Sequence, residues 1–168
     1  MDLTPGNDHG VSPPLDDRAG ILELFARYAW ALDTADVDAF LDTFIPDGVL
    51  IQVRADGSNT FAGATRLRTF ATALCGAPWF PGRQHHVCNL VFGAGRPGVR
   101  WELWAYVLVT QASRASTSVE FSGFYHDECV KHGSTWAFRL RRYRAWADGA
   151  GRLVRSPVDL ESHRAGSA

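Results

Sequence analysis

Two hydrophobic rhythms divide this chain, and their order limits what it can fold into. Up to residue 75 the apolar side chains recur at helical spacing; from residue 84 they lie in long strand-like runs. Between Asp17 and Asp33, Ile21, Leu24, Phe25, Tyr28 and Leu32 fall on one face, the i, i+3, i+4 pattern of an amphipathic helix. Asp16 or Asp17 is its expected cap. A short second helix is expected from Val37 to about Phe44, capped by Asp36 and stopped by Pro46. Residues 49–53 read as a strand, and Thr60, Phe61 and Ala62 pair back on it after a turn. A third helix is expected from Ala64 to Cys75, with Gly76 in the position of a helix-terminating glycine.

The strand runs are Gln84–Phe92, Val99–Ala112, Thr117–Lys131 and Ser134–Trp146. Residues 93–98 and 131–133 are the turns between them, with a looser hairpin at 113–116. Helices first and antiparallel strands second predict an α+β fold. The expected form is a cone-shaped α+β barrel, with three N-terminal helices packed on a strongly curved, mostly antiparallel sheet that encloses a pocket. Strands this long bend only at a bulge or a glycine, and Gly123 is the candidate. The domain spans 17–146, between a disordered N-terminal segment, 1–16, and a loose C-terminal tail, 147–168.

Charge and cysteine content exclude several classes of function. The net charge of −1 offers no basic field for nucleic acid or an anionic membrane. No apolar run approaches the roughly 20 residues of a membrane span. Cys75, Cys88 and Cys129 are odd in number and widely spaced, which predicts reduced thiols in a cytoplasmic protein. The N-terminal residues lack the apolar centre of a signal peptide. No Cys/His pair has zinc-ligand spacing, so no metal is expected.

Four segments carry a family likeness: residues 28–40 (YAWALDTADVDAF), 44–49 (FIPDGV), 83–89 (RQHHVCN), and 123–127 (GFYHD) followed by Trp136-Ala137-Phe138. In order and spacing they resemble the nuclear transport factor two-like superfamily, in its SnoaL-like, scytalone dehydratase-like branch. The resemblance covers about residues 17–146. It implies a pocket in which Asp33, at the end of the first helix, pairs with His85 on the third strand. It also implies a homodimer and a hydrophobic small-molecule substrate, with no cofactor. A tyrosine that the dehydratases place near substrate is Leu32 here, and Tyr28, one turn earlier, is its partial substitute.

A histidine in a pocket takes and returns a proton near neutral pH, and a carboxylate on one ring nitrogen leaves the other for substrate. That chemistry fits a dehydratase, cyclase or isomerase. The bland reading makes Asp33 a helix-end carboxylate and His85 a hydrogen-bonded core residue. Strand alternation puts His85, Val87 and Asn89 on one face, with Asn89 a candidate substrate contact beside His85, and His86 and Cys88 on the other. Tyr125 is the candidate phenol donor, or else a core tyrosine. Asp127 reads as structural, paired with Arg141 or Arg142, and His126 as facing a subunit interface. Twelve per cent of the residues are aromatic, so Trp30, Trp79, Phe80, Trp104, Tyr106 and Phe121 are candidates to line the pocket. Trp79-Phe80, stiffened by Pro78 and Pro81, is placed to cover its mouth. The competing reading is a non-catalytic ligand-binding module or the small subunit of a ring-hydroxylating dioxygenase, which needs no polar dyad.

Overall fold

The computed structural model describes residues 12–146. Its elements run α1 (Leu15–Asp33), α2 (Val37–Leu41), β1 (Phe44–Arg54), β2 (Gly57–Ala62), α3 (Gly63–Cys75), β3 (Arg83–Arg96), β4 (Arg100–Ala112), β5 (Thr117–His132) and β6 (Thr135–Ala145). The strands form one six-stranded sheet in the order β2-β1-β6-β5-β4-β3. Every pairing is antiparallel except β1 with β6. The fold is therefore α+β, but the expected barrel stays open. The curved sheet leaves β2 and β3 as its edges, and α1 closes the concave side by packing on β3 and β6.

The predicted face of α1 forms the heart of the core. Ile21, Leu24, Phe25, Tyr28 and Leu32 are all buried, against the alternating inward residues of β4 from Trp101 to Val109. The curvature has local causes. Each of four strand pairs carries a register shift, and a bulge bends and twists its strand. Gly123 sits at a close approach: a Cβ there would lie 2.1 Å from the Arg144 carbonyl oxygen and 2.8 Å from the Phe121 ring. The extra residue between β4 and β5 falls a little earlier, at Glu120.

Several boundaries differ from expectation. The first helix begins at Leu15 behind Pro14, without a side-chain cap. Asp17 is instead buried and accepts from the Gly98 backbone N–H (2.8 Å) and the Trp101 indole N–H (2.9 Å). It thereby pins the helix start to the β3–β4 turn. Asp36 does cap α2, accepting from the Ala39 N–H at 2.9 Å. That helix ends at Leu41, and Phe44 opens β1. Gly76 has φ −79°, so α3 ends without a left-handed residue. The strand β3 runs through residues 93–95 to Arg96, and the turn tightens to residues 97–99, with Gly98 at φ 65°. Leu15 and Asp16 leave the N-terminal segment for α1, while 1–11 and the tail 147–168 lie outside the described residues. No helix among the described residues is long and apolar enough to cross a membrane.

Candidate active site

The carboxylate of Asp33 ends α1 in an electrostatically poor place. A helix C-terminus carries partial negative charge, and the last turn of α1 has no basic residue. The partner comes from β3. As an edge strand, β3 has backbone N–H groups that no neighbouring strand takes up. The His85 N–H donates to Asp33 Oδ2 at 2.8 Å, and His85 Nδ1–H donates to Oδ1 at 2.5 Å. Both side chains are largely shielded, His85 10% and Asp33 18% exposed. With Nδ1–H committed to the carboxylate, Nε2 is the ring nitrogen left for a substrate.

His85 stands in a wall between two spaces. On the inner side is a cavity of about 90 Å³ lined by Tyr28, Leu32, Phe70, Leu74, Arg83, His85, Val109, Phe121, Tyr125 and Tyr143. At roughly 30 Å³ per water it holds about three, so it takes one end of a ligand and not a polycyclic body. On the outer side is a groove of about 420 Å³ between the end of α1 and the start of β3, which includes Trp30, Asp33, Arg83, His85 and His86. A smaller groove of about 230 Å³, which His85 also lines, continues along Leu22, Ala26 and Trp30 of α1.

Three tyrosines face the inner cavity, and burial is the first cause of the raised pKa of each. They are neutral hydroxyl donors at physiological pH. Beneath Tyr28 and Tyr125 lies Arg141, fully buried, its guanidinium carbon 4.1 Å and 3.9 Å from their ring centroids. Asp127 holds it with two bonds, Nε to Oδ1 at 3.1 Å and NH2 to Oδ2 at 2.7 Å. Burial alone would lower the Arg141 pKa; the Asp127 charge and hydrogen bonds outweigh it, and the net direction is up. Asp127 is thus structural, with Arg141 and not Arg142 as its directly opposite partner on β6.

The predicted site residues separate into two sets. Asp33, His85, Tyr125, Tyr28 and Phe121 converge on the dyad and inner cavity. Trp30 is 70% exposed and lines the outer groove. Trp79 is 56% exposed at the loop before β3, and Phe80 is buried beside it. Three assignments need correction. Asn89 is exposed at the β3 bulge with φ 54°, where the alternation that placed it beside His85 breaks. Trp104 and Tyr106 point to the outer face of β4, because its inward set is Trp101, Leu103, Ala105, Val107 and Val109. On that outer face Trp104 stacks on His126 (4.8 Å, 7°), whose Nε2 lies 2.6 Å from Glu102 Oε1. His126 is already buried within the single chain.

Sequence reasoning missed Tyr143 and the pocket role of Arg83. Tyr143 is the direct cross-strand partner of Tyr125. Counting back from the turn at Gly133 would put Arg142 opposite Tyr125, but Arg139 is an extra residue on β6 and shifts the register by one. Among the described residues no three His, Cys, Asp or Glu side chains come together as a metal site.

A family model for the SnoaL-like domain matches residues 13–142. Among solved structures, the chain is similar to a protein of unknown function with a cystatin-like fold from Nostoc punctiforme. The two are 24% identical over 88% of this chain and 98% of that one, with TM-score 0.68. It is also similar to a candidate aromatic ring hydroxylase from Novosphingobium aromaticivorans (25% identity, 79% and 90% covered, TM-score 0.67). A candidate scytalone dehydratase from the same organism is 19% identical, with 78% and 85% covered and TM-score 0.65. No curated protein sequence matches the chain.

Proposed function

The chain belongs to the SnoaL-like domain family, and we propose that it is a cofactor-independent acid–base enzyme, a dehydratase or cyclase/isomerase acting on a hydrophobic aromatic or polyketide-like small molecule. The observation that carries this reading is the His85–Asp33 pair at the wall of a tyrosine-lined cavity. His85 Nε2 removes a proton from a carbon next to a carbonyl. Asp33 stabilises the imidazolium that results, as the carboxylate of a catalytic triad does. Charge develops on the substrate oxygen, where Tyr125, Tyr28 or Tyr143 donates a hydrogen bond. The imidazolium then returns the proton, to a departing hydroxyl in a dehydration or to another carbon in an isomerisation. The reacting end occupies the inner cavity and the remainder extends into the outer groove.

The test is turnover. A panel of β-hydroxy carbonyl and dihydroxy aromatic compounds is assayed with wild type and His85→Ala. Product formation by wild type that His85→Ala loses supports the reading, and turnover that survives the substitution ends it.

A second reading is a non-catalytic ligand-binding module or the small subunit of a ring-hydroxylating dioxygenase. It draws support from the small inner volume and from the likeness to a candidate aromatic ring hydroxylase. Co-purification with a large subunit, and instability without it, would favour that reading.

A further inference from the structure

The inner cavity and the outer groove share two lining residues, His85 and Arg83. His85 is accounted for by its pairing with Asp33. Arg83 is not. Among the described residues it makes no ion pair. Its guanidinium carbon lies over the Trp79 ring, 5.2 Å from its centre, an aromatic contact that attracts the cation without neutralising it.

Its backbone is equally well held. Phe80 is buried, and the Arg83 N–H donates to the Phe80 carbonyl at 3.2 Å. The neighbouring Pro81 and Gly82 carbonyls accept from the Gln111 side chain (2.5 Å) and the Ala112 N–H (2.9 Å) of β4. The loop is stapled to the sheet, so the guanidinium is presented at the mouth before any ligand arrives. An arginine fork matches a carboxylate with two parallel hydrogen bonds, and partial shielding strengthens them. The other charge in the groove, Asp33, already accepts from two His85 N–H groups.

We infer that Arg83 is the anion contact of this site and that the substrate class is small apolar acids. The carboxylate sits at Arg83, and a short chain or the near edge of a single ring enters the inner cavity against Leu32, Phe70, Val109 and Phe121, the rest lying in the outer groove. The inner volume of about 90 Å³ limits what enters there. The inference rests on the proposed function only for what happens next at His85; the binding preference stands by itself.

Benzoate and benzamide serve as probes, since they match in shape and differ in charge. Their affinities are measured by calorimetry for wild type, Arg83→Gln and Arg83→Lys. Wild type is expected to prefer benzoate by about tenfold or more, the scale of one charge-assisted bidentate contact. Arg83→Gln removes the preference, and Arg83→Lys keeps part of it. Equal binding of the two probes, binding of neither up to its solubility, or an undiminished preference in Arg83→Gln overturns the inference. An Arg83-dependent preference together with His85→Ala turnover equal to wild type would defeat the catalytic reading and leave the anion site standing. Loss of turnover in His85→Ala without any acid preference would do the reverse.

Discussion

His85 and His86 are neighbours in the chain and face different surroundings. His85 is shielded and tied to Asp33 by two hydrogen bonds. His86 is exposed, its Nε2 3.1 Å from the Thr110 hydroxyl. If the proposed chemistry holds, His85→Ala lowers kcat by roughly 10²–10⁴-fold, the usual contribution of a positioned base. Asp33→Asn also impairs turnover. It keeps an oxygen acceptor for the backbone N–H but removes the charge that stabilises the imidazolium, and it permits the wrong tautomer. The double variant is expected to be little worse than the more damaged single, because groups that act as a unit are not additive. His86→Ala stays close to wild type. Steady-state kinetics on one accepted substrate decides it: an inactive His86→Ala beside an active His85→Ala would refute the assignment.

At the scale of elements, the β5–β6 hairpin carries a fully buried ion pair. Asp127 and Arg141 face each other across it and are shielded from solvent. Asp127→Asn strands a buried guanidinium and is expected to cost about 3–5 kcal/mol in urea unfolding. Arg139→Ala removes the exposed Arg139–Glu128 contact of 3.3 Å on the same hairpin, and is expected to cost under about 1 kcal/mol. Similar losses for both would mean that Arg141 finds another partner. This hairpin also shows where sequence reading stops. The stripe of α1 was legible because one face is apolar and the other is not, so 3.6-residue spacing names the buried side. In β4 both faces are apolar, with Trp101 and Leu103 on one and Trp104, Tyr106 and Leu108 on the other. Alternation then divides the residues into two sets without saying which is inside, and Trp104 and Tyr106 were assigned to the wrong one. Asn89 and Tyr143 were lost to bulges, since one extra residue reverses every facing beyond it. The Asp33–His85 pair joins residues 52 apart in the chain, and it came from family likeness, since no local periodicity links a helix end to an edge strand.

For the molecule as a whole, two predictions follow from its outer and inner surfaces. Outside, Tyr106 and Leu108 are 48% and 36% exposed, beside Trp104, Phe124 and Trp146. An apolar sheet face of this kind is suited to a second copy of the chain. Light scattering is expected to show a homodimer that Tyr106→Arg dissociates, and a wild-type monomer at micromolar concentration would count against it. Inside, Tyr28, Tyr125 and Tyr143 share a core that disfavours phenolate. Their folded pKa values lie above the ordinary 10.0, so the folded chain binds these protons more tightly than the unfolded chain does. Below pH 10 both states keep them, and stability is independent of these groups. Above it the unfolded chain releases protons first, and stability falls as pH rises toward the folded values. The slope tends to about 1.4 kcal/mol per pH unit for a tyrosine only where its unfolded phenol is ionised and its folded one is not. Urea midpoints measured from neutral pH to about pH 11 should stay level and then drop, with Tyr143→Phe making the drop shallower. An unchanged slope in Tyr143→Phe would mean that this phenol ionises as readily in the folded protein as in water, and that the cavity it lines is wetter than its burial implies.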